Sequence, residues 1–260
     1  MSQFRRDRMR EIMRRLNLNF DFIDAIVGAA VTAKDLEPIS ADFNKNLSRA
    51  EIGCLLSHIK AWQALIASTL PCAVILEDDV HLASDFADLI SRLSIDNEEI
   101  AIYRLETVLA TVTASLRKHI AVGRYSFHKL HTAHCGAGSY LLNAKTAAHL
   151  LAHTRDMSEA VDIELFDPSR RRIPSLNIFQ CLPGACIQDT LLPPEAKDSR
   201  LTSNIGSDRA DARSGISQTT TIPSWARVRW IKQMYRFAYT LLLLPTGKKR
   251  VQVRYAQDIT

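Results

Sequence analysis

Three carboxylates in a row, Glu77, Asp78 and Asp79, follow directly on the apolar run Cys72-Ala73-Val74-Ile75-Leu76. Adjacent carboxylates repel one another and raise each other's pKa unless a cation neutralises them. An oxygen-only donor set with open positions suits Mg²⁺ or Mn²⁺, which in turn bridge phosphate oxygens. Alternation along a strand sends Glu77 and Asp79 to one face and Asp78 to the other. Asp79 is the expected direct metal ligand, with Glu77 beside it and Glu77 or Asp78 reaching metal-bound water or a ribose. A solvated acidic turn is the alternative, and the triplet alone does not choose.

Other residues could serve the same ligand. Ser57 and His58 flank an apolar helical stripe and could hydrogen-bond phosphate or sugar, although a histidine there is more often structural. Gly136 and Gly138 allow backbone to approach a ligand closely, or equally a tight turn. His128, His131 and His134 recur every third residue. That spacing fits neither strand alternation nor the usual zinc patterns with cysteine partners, so the run reads as accidental. No GxxxxGK[ST] phosphate loop occurs, which weighs against a phosphotransferase of that type.

These residues need elements to position them. Residues 72–76 read as a strand buried on both faces, as in a parallel sheet, with its carboxylates at the end where open α/β sheets bind ligands. Ser48-Arg49-Ala50-Glu51 is a capping box that opens a helix to about Ser68, which gives Glu51 a structural role. Ile52, Leu55, Leu56, Ile59, Trp62 and Ile66 form the buried face of that helix. Further helices are expected over 4–16, 84–93 and 145–153, and strands over 20–26, 99–105, 122–130 and 139–143. Residues 168–189 read as irregular with one short strand, and 109–118 give no clear signal. The class is α/β, with a mostly parallel central sheet and a basic helical tail.

The chain has 260 residues, 47% hydrophobic and 23% charged, as expected of a globular protein. The expected division is a domain over 1–197, a polar linker over 198–223 and a basic aromatic tail over 224–260. Net charge is +5, yet the arginines of residues 1–15 and the Lys and Arg residues beyond 224 flank an acidic middle. Cations interleaved with Trp225, Trp230, Tyr235, Phe237 and Tyr239 suit an anionic membrane surface better than nucleic acid. An ordinary helix packed on the domain is the alternative. Five cysteines without a CxxC pair point to reduced thiols in the cytoplasm. The arginine-rich start lacks the apolar core of a signal peptide, and no apolar stretch reaches the roughly 18–20 residues of a span.

Five motifs together resemble glycosyltransferase family 25. Glu51-Ile52-Gly53-Cys54-Leu55-Leu56-Ser57-His58 with Trp62 is similar to its EIGC-x-x-SH helix, and Val74–Val80 to its IILEDDV strand. Gly136-Ala137-Gly138-Ser139-Tyr140 resembles its glycine-rich segment, Val161-Asp162 its VD motif, and Pro183–Asp189 its P-x-x-x-x-QD end. The resemblance implies a GT-A nucleotide-sugar-binding domain. It also implies transfer of galactose or glucose from a UDP-sugar to a glycan or lipid-linked glycan, usually lipopolysaccharide core, at the inner face of the cytoplasmic membrane. Asp162 is then the catalytic base or an acceptor contact, with Asp189 its rival as base or further metal ligand. The family usually opens with an apolar strand, whereas this sequence begins inside the helix that follows it. Either the start lies upstream or the donor site is weakened. A non-catalytic binding relic and a metal-dependent nucleotidyl- or phosphotransferase are the rival expectations.

Overall fold

The computed structural model describes residues 2–37, 39, 47–201 and 243–257. Helix α1 (Gln3–Arg15) starts at Ser2, whose hydroxyl accepts from the Arg5 amide, and buries Met9, Ile12 and Met13. Helix α2 (Arg49–Ala67) has both arms of the expected capping box and buries Ile52, Leu55, Leu56, His58, Ile59, Trp62 and Leu65. Ile66 is 43% exposed, because Leu65 holds the inward position at that turn.

The strands are β1 (Cys72–Leu76), β2 (Val80–Leu82), β3 (Ala101–Arg104), β4 (Glu106–Thr107), β5 (Thr111–Ser115), β6 (Ile120–Val122), β7 (Tyr125–Lys129), β8 (Ser139–Asn143), β9 (Asn177–Leu182), β10 (Cys186–Gln188) and β11 (Lys248–Gln252). Between them lie α3 (Phe86–Arg92), α4 (Ala144–Ala152) and α5 (Val161–Phe166). The central sheet runs β1-β8-β3-β9-β7-β6, and β2-β10-β4 and β11-β5 form two smaller sheets.

The class is mixed α/β, but the expected mostly parallel sheet is corrected. In the central sheet only β3 and β9 pair in parallel, and every other neighbouring pair is antiparallel. The run that suggested it, β1, is an edge strand paired with β8, and its five residues are half-buried rather than buried on both faces. An apolar run does not report strand direction. Ile102, Tyr140, Leu142 and Ile178 join the core under α2 and α4. Their neighbours Ala101, Tyr103, Leu141 and Phe179 join the core under α3 on the other face.

Three local expectations change. Residues 20–26 alternate but pair with no strand. Residues 109–118 contain β5, and 168–189 contain both β9 and β10. Of the expected tail, β11 pairs antiparallel with β5, and Val253 and Ala256 are buried, so 248–256 are part of the folded domain. Trp225, Trp230, Tyr235, Phe237 and Tyr239 lie outside the described residues, as does the linker beyond Leu201. No described helix is long and apolar enough to cross a membrane, and no disulfide joins the five cysteines.

Register brings distant residues together at one edge of the sheet. Leu76 at the end of β1 lies opposite Ser139 at the start of β8. Arg104 at the end of β3 lies opposite Tyr140 on one side and Gln180 on the other. The small sheet continues from there, setting Gln188 beside Val80 and Cys186 beside Glu106. Residues far apart in sequence thus meet where β1 and β3 end.

Candidate active site

The acidic triplet is not strand but the turn from β1 into β2. Its backbone is clamped from two sides. The Glu77 amide donates to the Gly138 carbonyl at 2.9 Å, and the Asp189 amide donates to the Asp79 carbonyl at 2.9 Å. Helix α1 supplies two arginines on the outside. Arg5 pairs with Asp78 at 2.6 Å, and Arg8 donates to the carbonyls of Asp78 and Val80 at 3.4 and 2.8 Å. The burial of Arg8 lowers its pKa, while Asp189 and Asp79 counter this as the leading negative charges.

The three carboxylates therefore differ. Asp78 is occupied by an arginine. Glu77 Oε2 accepts from the Gln188 amide at 2.9 Å, and Oε1 lies 3.5 Å from His58 Nε2 and 3.9 Å from Cys54 Sγ. Asp79 is 8% exposed, and its Oδ1 is buried with no hydrogen-bond partner. Burial first, then the charges of Glu77 and Asp78, push its carboxyl up to about 7.

A fourth carboxylate, Glu106, joins them and was not anticipated from the sequence. It is fully buried where β3 gives way to β4. Oε2 accepts from the Gly138 amide at 2.8 Å and pairs with Arg104 at 3.3 Å, whereas Oε1 has no partner. Burial, with Glu77 and Asp79 nearby, raises its carboxyl to about 7 against the pull of Arg104. The available signal was a charged pair, Arg104 and Glu106, closing an apolar strand at the end where sheets bind ligands. A side chain at Gly138 would come within 3.1 Å of Glu106 Oε1, the Gln188 amide and Val80. Glycine there keeps the space between the carboxylates open. Gly136 adopts φ +115°, which other residues resist, and presents its carbonyl to Arg104.

The remaining candidates separate. His58 reaches the triplet. Ser57 donates to the Gly53 carbonyl at 2.6 Å and accepts from the Ile26 amide at 2.9 Å, so its hydroxyl fastens residue 26 to α2. Asp189 is 3% exposed, with Oδ1 held by His81 Nε2 at 2.8 Å and the Asp198 amide at 3.0 Å. Asp162 is half-buried in the first turn of α5, where no side chain caps the helix. Its charge is felt across the glycine loop. After burial it is the main influence pushing the Cys135 thiol up to about 11, and it supports the buried charge of Arg104. The three spaced histidines engage different groups, two of them different atoms of Ser115. His128 Nδ1 engages the Ser115 carbonyl, His131 the Ser115 hydroxyl and His134 the Gln180 side chain.

Asp79 and Glu77 would offer oxygen donors to Mn²⁺ or Mg²⁺ at one sheet edge. The buried Asp79 Oδ1 has no hydrogen-bond partner, whereas both Glu77 oxygens already have neighbours in Gln188, His58 and Cys54. The carboxylates gather at one edge of a mixed α/β fold. Residues 1–165 match the model of glycosyltransferase family 25 (LPS biosynthesis protein). A Haemophilus influenzae protein with a provisional glycosyltransferase name is 30% identical over 205 residues, covering 74% of this chain and 69% of that protein. The lipooligosaccharide biosynthesis protein lic2B of Haemophilus influenzae is 26% identical over 219 residues, 79% of this chain and 78% of its own. The lacto-N-neotetraose biosynthesis glycosyltransferase LgtE of Neisseria gonorrhoeae is 24% identical over 206 residues, 75% and 73%. The chain belongs to glycosyltransferase family 25.

Proposed function

We propose that the chain is a GT-A-type enzyme that transfers galactose or glucose from a UDP-sugar to a lipopolysaccharide or lipooligosaccharide core acceptor, with inversion. Family membership supplies the reaction class, glycosyl transfer. The observation that carries the donor assignment is the unpartnered, buried Asp79 Oδ1 beside Glu77 at the sheet edge.

Asp79 and Glu77 would hold Mn²⁺ or Mg²⁺. When bound, such an ion supplies Lewis-acid stabilisation of the charge developing on the departing diphosphate. Gly138 leaves room for the sugar or diphosphate to approach the backbone. In an inverting displacement the acceptor hydroxyl attacks the anomeric carbon opposite the leaving group, and a base must take its proton in line. Asp162 is the base in this reading, because the residue is only half-buried and its charge is felt at Cys135 and Arg104 beside the glycine loop. Asp189 instead fixes the turn, since its side chain is buried against His81 and the Asp198 amide.

A lipid-linked acceptor places the work at the cytoplasmic membrane face. There Arg227, Arg229, Lys232 and Arg236, with the aromatic residues among them, would meet anionic headgroups. The test is a donor screen with purified full-length protein and deacylated lipooligosaccharide core, in EDTA and with added Mn²⁺ or Mg²⁺. UDP-galactose or UDP-glucose should give an extended glycan only with the dication. Full transfer in EDTA would overturn the metal assignment. Failure to bind or turn over any UDP-sugar would identify a non-catalytic relic.

A further inference from the structure

The indole N–H of Trp62 in α2 donates to the Tyr140 hydroxyl oxygen at 2.9 Å, and that oxygen lies 2.8 Å from His58 Nδ1. Trp62 and Tyr140 are fully buried in the core under α2, and His58 is 5% exposed. Polar groups in such a place must be paired, because an unpaired one forfeits its hydration for nothing. An indole can only donate, so the Tyr140 oxygen accepts from it and the hydroxyl proton needs a different acceptor. Among the described residues, His58 Nδ1 is the atom within reach to take it. Nδ1 therefore accepts, and the neutral imidazole carries its proton on Nε2. That nitrogen faces Glu77 Oε1 at 3.5 Å, while Gln188 donates to the other Glu77 oxygen at 2.9 Å.

We infer that Trp62, Tyr140 and His58 form a one-way hydrogen-bond chain that locks the Nε2–H tautomer of His58 and thereby positions Glu77 for the dication and diphosphate. The purpose of the chain rests on the transferase reading; its geometry does not. Trp62 and Tyr140 are positioning residues, reaching from the core to a carboxylate they do not touch. Partners behind a ligating group commonly fix its orientation in this way.

The same atoms allow one rival. Cys54 Sγ, a His58 ring nitrogen and a Glu77 oxygen lie within 4.8 Å of one another, a donor set that zinc accepts, and Nε2 is the nitrogen on the Glu77 side. Zinc on Nε2 would require the His58 proton on Nδ1. Two donors would then point at the Tyr140 oxygen, leaving the tyrosine's own proton without an acceptor among the described residues. The two arrangements therefore demand opposite tautomers.

The experiment is long-range ¹H–¹⁵N NMR of the imidazoles in the full-length protein at about pH 8, above the usual histidine range, with His58→Gln used to assign the signal. The wild-type protein should show His58 as the Nε2–H tautomer. Tyr140→Phe, or Trp62→Phe if the first variant fails to fold, should give a tautomer mixture. The same variant should raise the Mn²⁺ concentration for half-maximal UDP-sugar binding by about 10–100-fold. An Nδ1–H tautomer, an imidazolium or a zinc-bound nitrogen in the wild-type protein would overturn the chain, as would a Tyr140→Phe variant with unchanged tautomer and Mn²⁺ dependence. The wild-type spectrum is read without turnover. A protein that shows the Nε2–H form yet transfers no sugar would therefore refute the transferase reading and leave the chain standing.

Discussion

Two charged clusters, one buried and one partly exposed, lie side by side at the same sheet edge, and they are built on opposite principles. The inner one is closed. The Arg104 guanidinium donates to the Cys135, Gly136 and Glu106 carbonyls, to Gln180 Oε1 and to Glu106 Oε2, with Phe166 stacked beneath it. His134 takes the Val108 amide on Nε2, its Nδ1 meets both the Arg104 guanidinium and the Gln180 side-chain oxygen, and burial beside Arg104 pushes its pKa down to about 3. The outer cluster is open. Arg5 meets Asp78, but Asp79 Oδ1 meets nothing. Glu106 belongs to both, with one oxygen in the closed network and the other unpartnered. A closed polar network fixes structure. An open one, held in place by its closed neighbour, is where a ligand's charge belongs.

The sharpest break of this contrast is at Asp79. Asp79→Asn keeps the shape and removes the charge, so UDP-sugar transfer should fall by about 10³-fold or more, on the scale of several kcal/mol of Lewis-acid stabilisation. Circular dichroism should show an unchanged fold. Near-normal turnover would mean that the open cluster does not hold the dication. Asp162→Asn should lower kcat by about 10²–10⁴-fold, the usual worth of a general base, with UDP-sugar affinity little altered. If Asp189→Asn shows that pattern instead, the roles of the two aspartates are exchanged.

The closed cluster should respond in the opposite currency. Arg104→Met removes the counter-charge of the buried Glu106 and the donor to the Cys135 and Gly136 carbonyls, so stability should drop by about 3–5 kcal/mol in denaturant unfolding. Adding Glu106→Gln should recover part of that loss, because the unmatched carboxyl is removed. A small loss in the single variant would show that the guanidinium is not the anchor of the glycine loop.

What could be read from the chain divides along the same line. The acidic triplet and the capping box are local, and local chemistry survives without knowledge of the fold. The capped helix forms as expected, from Arg49 to Ala67. Glu106 and the Trp62–Tyr140–His58 alignment depend on register between strands far apart in sequence, which no local pattern carries. Strand direction was lost for the same reason, since Ile102 and Leu142 are equally apolar beside a parallel or an antiparallel neighbour. Phe20–Ile26 shows the converse. Its alternation was present, but Phe22 packs against the guanidinium groups of Arg6 and Arg10, and no strand pairs with it. Ser57 and His58 flank the same apolar stripe, but consecutive helical residues face different directions: the Ser57 hydroxyl meets Gly53 and Ile26, whereas His58 reaches Glu77.

The smallest expected effect is also the most specific to an open cluster, because it concerns stability and needs no substrate. An unfolded aspartate titrates near 3.8, and the native Asp79 near 7. The native state therefore binds this proton more tightly, so the group's contribution to stability is fully present below about pH 4 and is lost as pH rises through 7. Between about pH 5 and pH 8 the loss from Asp79 alone is roughly 2–3 kcal/mol, at 1.36 kcal/mol per pKa unit. Glu106 titrates in the same window and contributes in the same sense, so the wild-type slope alone does not isolate Asp79. Comparison with Asp79→Asn does. In metal-free buffer the variant should become the more stable protein as pH rises, and its advantage should grow by roughly that amount across the window. Adding Mn²⁺ at high pH should stabilise the wild-type protein and leave Asp79→Asn unmoved, because a ligand stabilises only the state that binds it. Parallel stability curves for the two proteins would show that Asp79 is not held as a strained, unmatched charge, and the contrast between the two clusters would fail.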